Sequence, residues 1–90
     1  MALRSSMRYN SLSQLAFGMH REAGRSGGSA SISLSNVRGA LSSTLKYGWG
    51  PPSAEFRSIA RFAQDFGFEY LSLTMHNGHP VCNFWLMPDN

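Results

Sequence analysis

The chain is expected to adopt an α+β fold. This would be a two-layer sandwich with a three-stranded antiparallel sheet and helices on one face, in the order α-β-α-α-β-β. Three observations carry that expectation. Asn77-Gly78 separates two apolar runs, and an Asn-Gly pair favours a type I′ hairpin turn because both central residues need φ > 0. Apolar residues recur at helical spacing from Leu12 to Ala23 and again from Phe56 to Phe66. Ala30 to Ser35 alternates strictly between apolar residues and serine, as a half-buried strand does.

Taken in order, Met1 to Asn10 shows no period and is expected to be frayed or disordered, or an edge extension. Ser11-Leu12-Ser13-Gln14 has the capping-box pattern, in which a serine hydroxyl accepts the third helical N–H and Gln reaches back. A helix over 11–24 follows, with Leu12, Leu15, Ala16, Met19 and Ala23 as its stripe and Gly24 at its end. Arg25 to Ser29 is a loop by composition. In the next strand Ala30, Ile32 and Leu34 share one face, and Ser31, Ser33 and Ser35 the other.

Asn36 is expected to cap a short helix that uses Val37, Ala40 and Leu41 and extends toward Thr44 and Leu45. Lys46-Tyr47-Gly48-Trp49-Gly50-Pro51-Pro52 must break it. Ser53 then caps a helix from Ala54 to Phe66. Its stripe is Phe56, Ile59, Ala60, Ala63 and Phe66, with Phe62 beside it; Arg57, Ser58, Arg61, Gln64 and Asp65 lie outside. Gly67 stands where a left-handed residue closes a helix.

The hairpin strands are Phe68 to Met75 and Pro80 to Met87. A two-residue loop pairs His76 with His79, and so sets Met75 against Pro80, Leu73 against Cys82, Leu71 against Phe84 and Glu69 against Leu86. The covered face is then that of Leu71, Leu73, Phe84 and Leu86. The open face carries His76, His79, Thr74, Val81, Ser72, Asn83, Tyr70 and Trp85. Pro80 lacks an N–H on the side away from its hairpin partner, so strand 80–87 is expected to be an edge at its start. Strand 30–35 is expected beside strand 68–75.

Ninety residues make a single domain, 1–90, with 42% hydrophobic and 12% aromatic content for a core. Charged residues are only 14%, against ~25% in typical soluble domains, which leaves much surface to small polar and apolar groups. Net charge is +3 and the pI about 9.6, the sign expected of a nucleic-acid or anionic-surface binder. The lone cysteine, Cys82, excludes an intrachain disulfide and fits a reducing, cytoplasmic setting. The first 29 residues, with Arg4, Arg8, Arg21, Arg25, six serines and one acid, also fit a mitochondrial transit peptide. No apolar run approaches the ~18 residues of a membrane span.

His76, His79 and Cys82 are spaced H-x-x-H-x-x-C. Yet the hairpin register places both histidines on one face, roughly 5 Å apart, and Cys82 on the other. Two converging ligands do not make a structural zinc site, so no metal is expected. Nucleophilic catalysis would need a base beside Cys82 or a serine, and acid–base catalysis a poised histidine or paired carboxylates. The pattern offers neither, nor a phosphate-binding glycine loop. No enzymatic activity and no cofactor are expected.

Arg57 and Arg61 lie four residues apart on the exposed side of the clearest helix, with Gln64 one turn on. They read either as a solvated basic face or as phosphate contacts, with Lys46, Arg38 and Arg25 adding to them. Tyr70, Trp85, His76 and His79 could stack on unpaired bases, or bury against another chain.

Gly50 to Met87 resembles the arginine–three–histidine domain, a small module that binds single-stranded nucleic acid. The resemblance lies in Pro51-Pro52 before the helix, Ile59-Ala60 within it, Phe66-Gly67-Phe68 closing it, Glu69-Tyr70-Leu71-Ser72 after it, and a terminal hairpin. It implies helices on one side of a three-stranded antiparallel sheet. Aligned on Phe66-Gly67-Phe68, the family's R-x-x-x-H positions fall on Phe56 and Ala60; shifted by one, Arg57 and Arg61 give R-x-x-x-R.

Two functions are therefore expected. The first is a small non-enzymatic domain recognising single-stranded RNA or DNA through Arg57, Arg61, Gln64 and Lys46 together with Tyr70, Trp85, His76 and His79. The alternative is a protein-binding module acting through the open sheet face: a small inhibitor, such as a phage-encoded one, or an accessory subunit of a larger complex. A homodimer through that face is one form of it.

Overall fold

The computed structural model describes residues 11–41 and 52–88, with side chains in the second block from Glu55 onward. The readings for Met1 to Asn10, for Lys46 and for a helix reaching Thr44 and Leu45 lie outside the described residues. The elements run α1 Leu12–Arg25, β1 Ser29–Ser33, α2 Leu34–Leu41, α3 Pro52–Asp65, β2 Phe68–His76 and β3 His79–Leu86. This is the α-β-α-α-β-β order of an α+β sandwich, with one three-stranded antiparallel sheet.

Helix α1 begins as its cap dictates: the Ser11 hydroxyl accepts the Gln14 N–H at 3.2 Å. Leu15, Ala16, Met19 and Ala23 are buried from it. It continues one residue past Gly24 and closes when the Gly28 N–H reaches the Ala23 carbonyl at 2.8 Å.

Strand β1 is shorter than its alternation implies. Leu34 and Ser35 belong to α2, because Ser33 rather than Asn36 is the cap: its hydroxyl accepts the Asn36 N–H at 3.3 Å. Leu34, Val37, Ala40 and Leu41 are buried from α2. Helix α3 begins at Pro52, so Ser53 lies inside its first turn instead of capping it. A proline suits that first position, where its missing N–H has no partner to lose. Ile59, Phe62 and Ala63 are the buried side chains of α3, so Phe62 is core and Phe56 is a half-exposed rim residue. Gly67 takes φ +87° at the turn into β2.

The sheet order is β1-β3-β2, so β1 pairs with β3 and not with β2. The start of β3 at Pro80 is unpaired on its β1 side, as expected, but this does not keep β1 from the rest of β3. β1 pairs only with Val81 to Trp85, so the missing N–H of Pro80 falls one residue beyond the ladder and costs it nothing. β3 is the central strand and β2 an edge.

The turn is as expected: Asn77 has φ +52° and Gly78 φ +80°, and His76 faces His79, Met75 faces Pro80 and Leu73 faces Cys82. The register then shifts between Tyr70 and Ser72. Tyr70, not Leu71, faces Phe84; Glu69 faces Trp85 and Phe68 faces Leu86. Leu71 is the extra residue of a β-bulge and is 52% exposed. The bulge carries Tyr70 onto the helix-covered face, where its ring lies 5.3 Å from Phe84 and 5.0 Å from Phe56.

The core lies between that face and the helices. Ala30, Ile32, Phe68, Cys82 and Phe84 come from the sheet; Leu15, Met19, Val37, Ile59 and Phe62 are among the helical contributors. Arg38 donates two hydrogen bonds to the Glu55 carboxylate, at 2.7 and 3.0 Å, tying α2 to α3.

Candidate functional site: the open face of the sheet

No described helix covers the second face of the sheet. Strand alternation puts Ser29, Ser31 and Ser33 of β1 there, with Val81, Asn83 and Trp85 of β3. From β2 it adds Glu69, Ser72, Thr74 and His76, opposite Trp85, Asn83, Val81 and His79.

Asn83 is the hub of this face. Its side-chain oxygen accepts the Ser31 hydroxyl at 2.9 Å. Its amide nitrogen donates to Thr74 Oγ1 at 2.8 Å and to the Ser72 carbonyl at 3.2 Å. One side chain thus ties all three strands together and is held in a fixed orientation. Sequence reasoning placed Asn83 on the open face but gave it no role; its central strand position, flanked by hydroxyl residues on both neighbours, becomes visible only once the strand order is known.

Trp85 sits at one end of the face and is 43% exposed. Its ring rests on Gly28, where an added Cβ would come within 3.4 Å of the indole. Arg25, exposed at the end of α1, is three residues before that glycine. His76 and His79 mark the other end, both exposed beside the turn.

The expected site is therefore divided. Trp85, His76 and His79 share the open face. Tyr70 does not: the bulge turns it to the covered side, where its ring packs against Phe84 and Phe56. Arg57, Arg61 and Gln64 are exposed on α3, which packs on the covered side, so they form a separate surface. Arg61 also lies 3.8 Å from Asp65. Arg38 is occupied by Glu55.

Cys82 is fully buried, and burial pushes its thiol up to about 11. Burial likewise raises Tyr70. Neither group is poised to ionise near neutrality. His20 meets Phe66 and Phe68: its Nε2 is 3.1 Å from the Phe66 carbonyl oxygen and its ring 4.8 Å from the Phe68 ring. Among the described residues, no three His, Cys, Asp or Glu side chains come together as metal ligands, and no helix is long and apolar enough to cross a membrane.

Comparison with protein-family models, with curated proteins and with solved structures finds no match to this chain.

Proposed function

We propose that this chain is a small non-enzymatic binding domain that takes single-stranded RNA or DNA across the open face of its sheet. The observation that carries the reading is the composition of that face: an exposed indole, a fixed amide at the centre and two exposed imidazoles, with Glu69 the one carboxylate among its described strand residues. Trp85 offers a stacking platform, which tolerates any base. Asn83 spends its own donors on Ser72 and Thr74, and the hydroxyls it holds in place, those of Ser31, Ser72 and Thr74, face bases and sugars. Arg25, exposed three residues before the Gly28 that lies against Trp85, adds a phosphate contact in this reading. Net charge of +3 favours the encounter.

Anisotropy of labelled single-stranded oligonucleotides at two salt concentrations tests this. Binding is expected to weaken steeply with salt. Base stacking contributes about 1–3 kcal/mol, so Trp85→Ala is expected to weaken binding roughly tenfold or more. Arg57→Glu with Arg61→Glu, on the opposite surface, is expected to cost less than Trp85→Ala. An absence of binding at low salt, or full binding by Trp85→Ala, would sink the reading.

A second reading, a protein-binding module serving as an inhibitor or accessory subunit, is supported by the exposed Phe17 on α1, which lies under the Arg21 guanidinium at 5.7 Å. Apolar and arginine side chains together are typical of interface centres. Its affinity would resist salt.

A further inference from the structure

We propose that the edge of β2, which no described strand pairs, is a homodimer interface, where residues 72–76 of two copies pair antiparallel about Thr74 and join the two three-stranded sheets. The inference is independent of what the open face binds.

The first ground is backbone valence. His76 and His79 flank a two-residue turn and form the hydrogen-bonded pair. By alternation, Leu73 and Met75 direct their N–H and C=O groups away from β3, toward the edge. Tyr70 to Met75 contains no Lys, Arg, Asp, Glu or Pro, the residues that ordinarily keep an edge strand from pairing. The opposite edge is guarded: the Ser31 N–H of β1 is held by the Glu22 carboxylate at 2.8 Å. One open edge and one blocked edge favour a closed pair of copies over a growing fibre.

The second ground is exposed area. β2 has nine residues and spans about 30 Å; α3 has fourteen and spans about 21 Å. α3 is therefore too short to cover β2 along its whole length. Leu73 and Met75 point to the covered side but stay 50% and 67% exposed, beside Leu71 at 52% and Phe56 at 51%. Together these four side chains expose on the order of 400 Å², as much as the largest apolar patch of a typical monomer, which is often functional. That is about half of the ~800 Å² each partner gives to a stable interface, and the paired backbone adds to it.

The third ground is self-complementarity. Pairing about Thr74 sets Leu73 against Met75 of the second copy, apolar on apolar, and Ser72 against His76. No two like charges oppose each other. The register also uses only residues beyond the bulge at Leu71.

Sedimentation of the full chain from micromolar to millimolar concentration tests the proposal. The mass is expected to rise toward twice the 9.9 kDa of one chain and stop there. Leu73→Lys and Met75→Lys, each at a half-exposed site, are expected to weaken association at least about tenfold, with helix and strand content unchanged by circular dichroism. Trp85→Ala on the open face should associate normally. In the wild type, amide exchange at Leu73 and Met75 should slow as concentration rises, a readout that needs no variant. A monomer throughout, growth beyond two copies, or a dimer lost with Trp85→Ala and kept with both lysine variants would overturn the proposal.

Discussion

Cys82 offers a quantitative check on the register of the hairpin. The side chain is fully buried, opposite Leu73 and on the strand face away from both histidines of the hairpin. Its thiol is pushed up to about 11 from an ordinary 9.0, chiefly by burial. At pH 7 that leaves about one thiolate in ten thousand, where an ordinary thiol has about one in a hundred, and only the thiolate is nucleophilic. Ionisation alone therefore slows modification about a hundredfold. Access slows it further. A stability of only about 0.05 kcal/mol per residue over 90 residues is about 4.5 kcal/mol, so reaction through global opening would be slowed by roughly three orders of magnitude. The assay is colorimetric titration with a disulfide reagent, in buffer and in urea. The native rate is expected to be at least a hundredfold below the unfolded rate and to climb with urea as the unfolded fraction does. A native rate within tenfold of the unfolded one would refute the reasoning, since Cys82 would then share the face of His76 and His79.

The same thiol makes stability fall in alkali. Its folded value lies above its unfolded value, so its contribution is intact below about pH 9 and is lost as pH rises toward 11. At about 1.4 kcal/mol per unit, the loss reaches roughly 2–3 kcal/mol in urea melts across that range, and Cys82→Ala should flatten the profile. Gly28→Ala should destabilise through the backbone: the residue sits at φ +109°, which an L side chain rarely adopts, while a Cβ there would meet the Trp85 ring at an ordinary contact distance of 3.4 Å. Strain of this kind costs about 1–3 kcal/mol, and each kcal/mol lowers the melting temperature by about 4–8 °C in a domain of this size. An unchanged melt would show that the loop shifts freely.

Much of the architecture is legible in the sequence because it is written in local rules. The Ser11 cap, the Asn77-Gly78 turn, the left-handed Gly67 and most of the α1 stripe each depend on a few neighbouring residues, and each is found in place; the α3 stripe is rotated toward Phe62. What escapes is set by tertiary competition. The bulge does leave a trace: Phe68 and Tyr70 alternate around Glu69 in one phase, while Leu71, Leu73 and Met75 alternate in the opposite phase. The two frames collide at Tyr70-Leu71, and an extra residue lets both Tyr70 and Leu73 face the helices. A single alternating pattern hides that collision, which is why alternation alone puts Tyr70 on the open face. Strand order turned on whether β1 reaches Pro80, a matter of one residue. The division of the candidate site follows from layering, which spacing along α3 cannot reveal: the arginines of α3 and the indole of β3 lie on opposite sides of the sheet.

The central position of β3 has a consequence for how the sequence can change. Cys82 and Phe84 hold the core, Val81 and Trp85 meet the open surface, and Asn83 between them ties the strands on that surface together. Apart from Asn83, successive positions thus answer to different selective demands. A saturation library along 81–85 should lose abundance at 82, 83 and 84 and lose binding, with abundance largely kept, at 81 and 85. On β2 the same rhythm should reverse phase across Leu71. The surface is therefore free to diverge under an unchanged interior, so the binding specificity of such a domain can drift quickly while its architecture stays fixed.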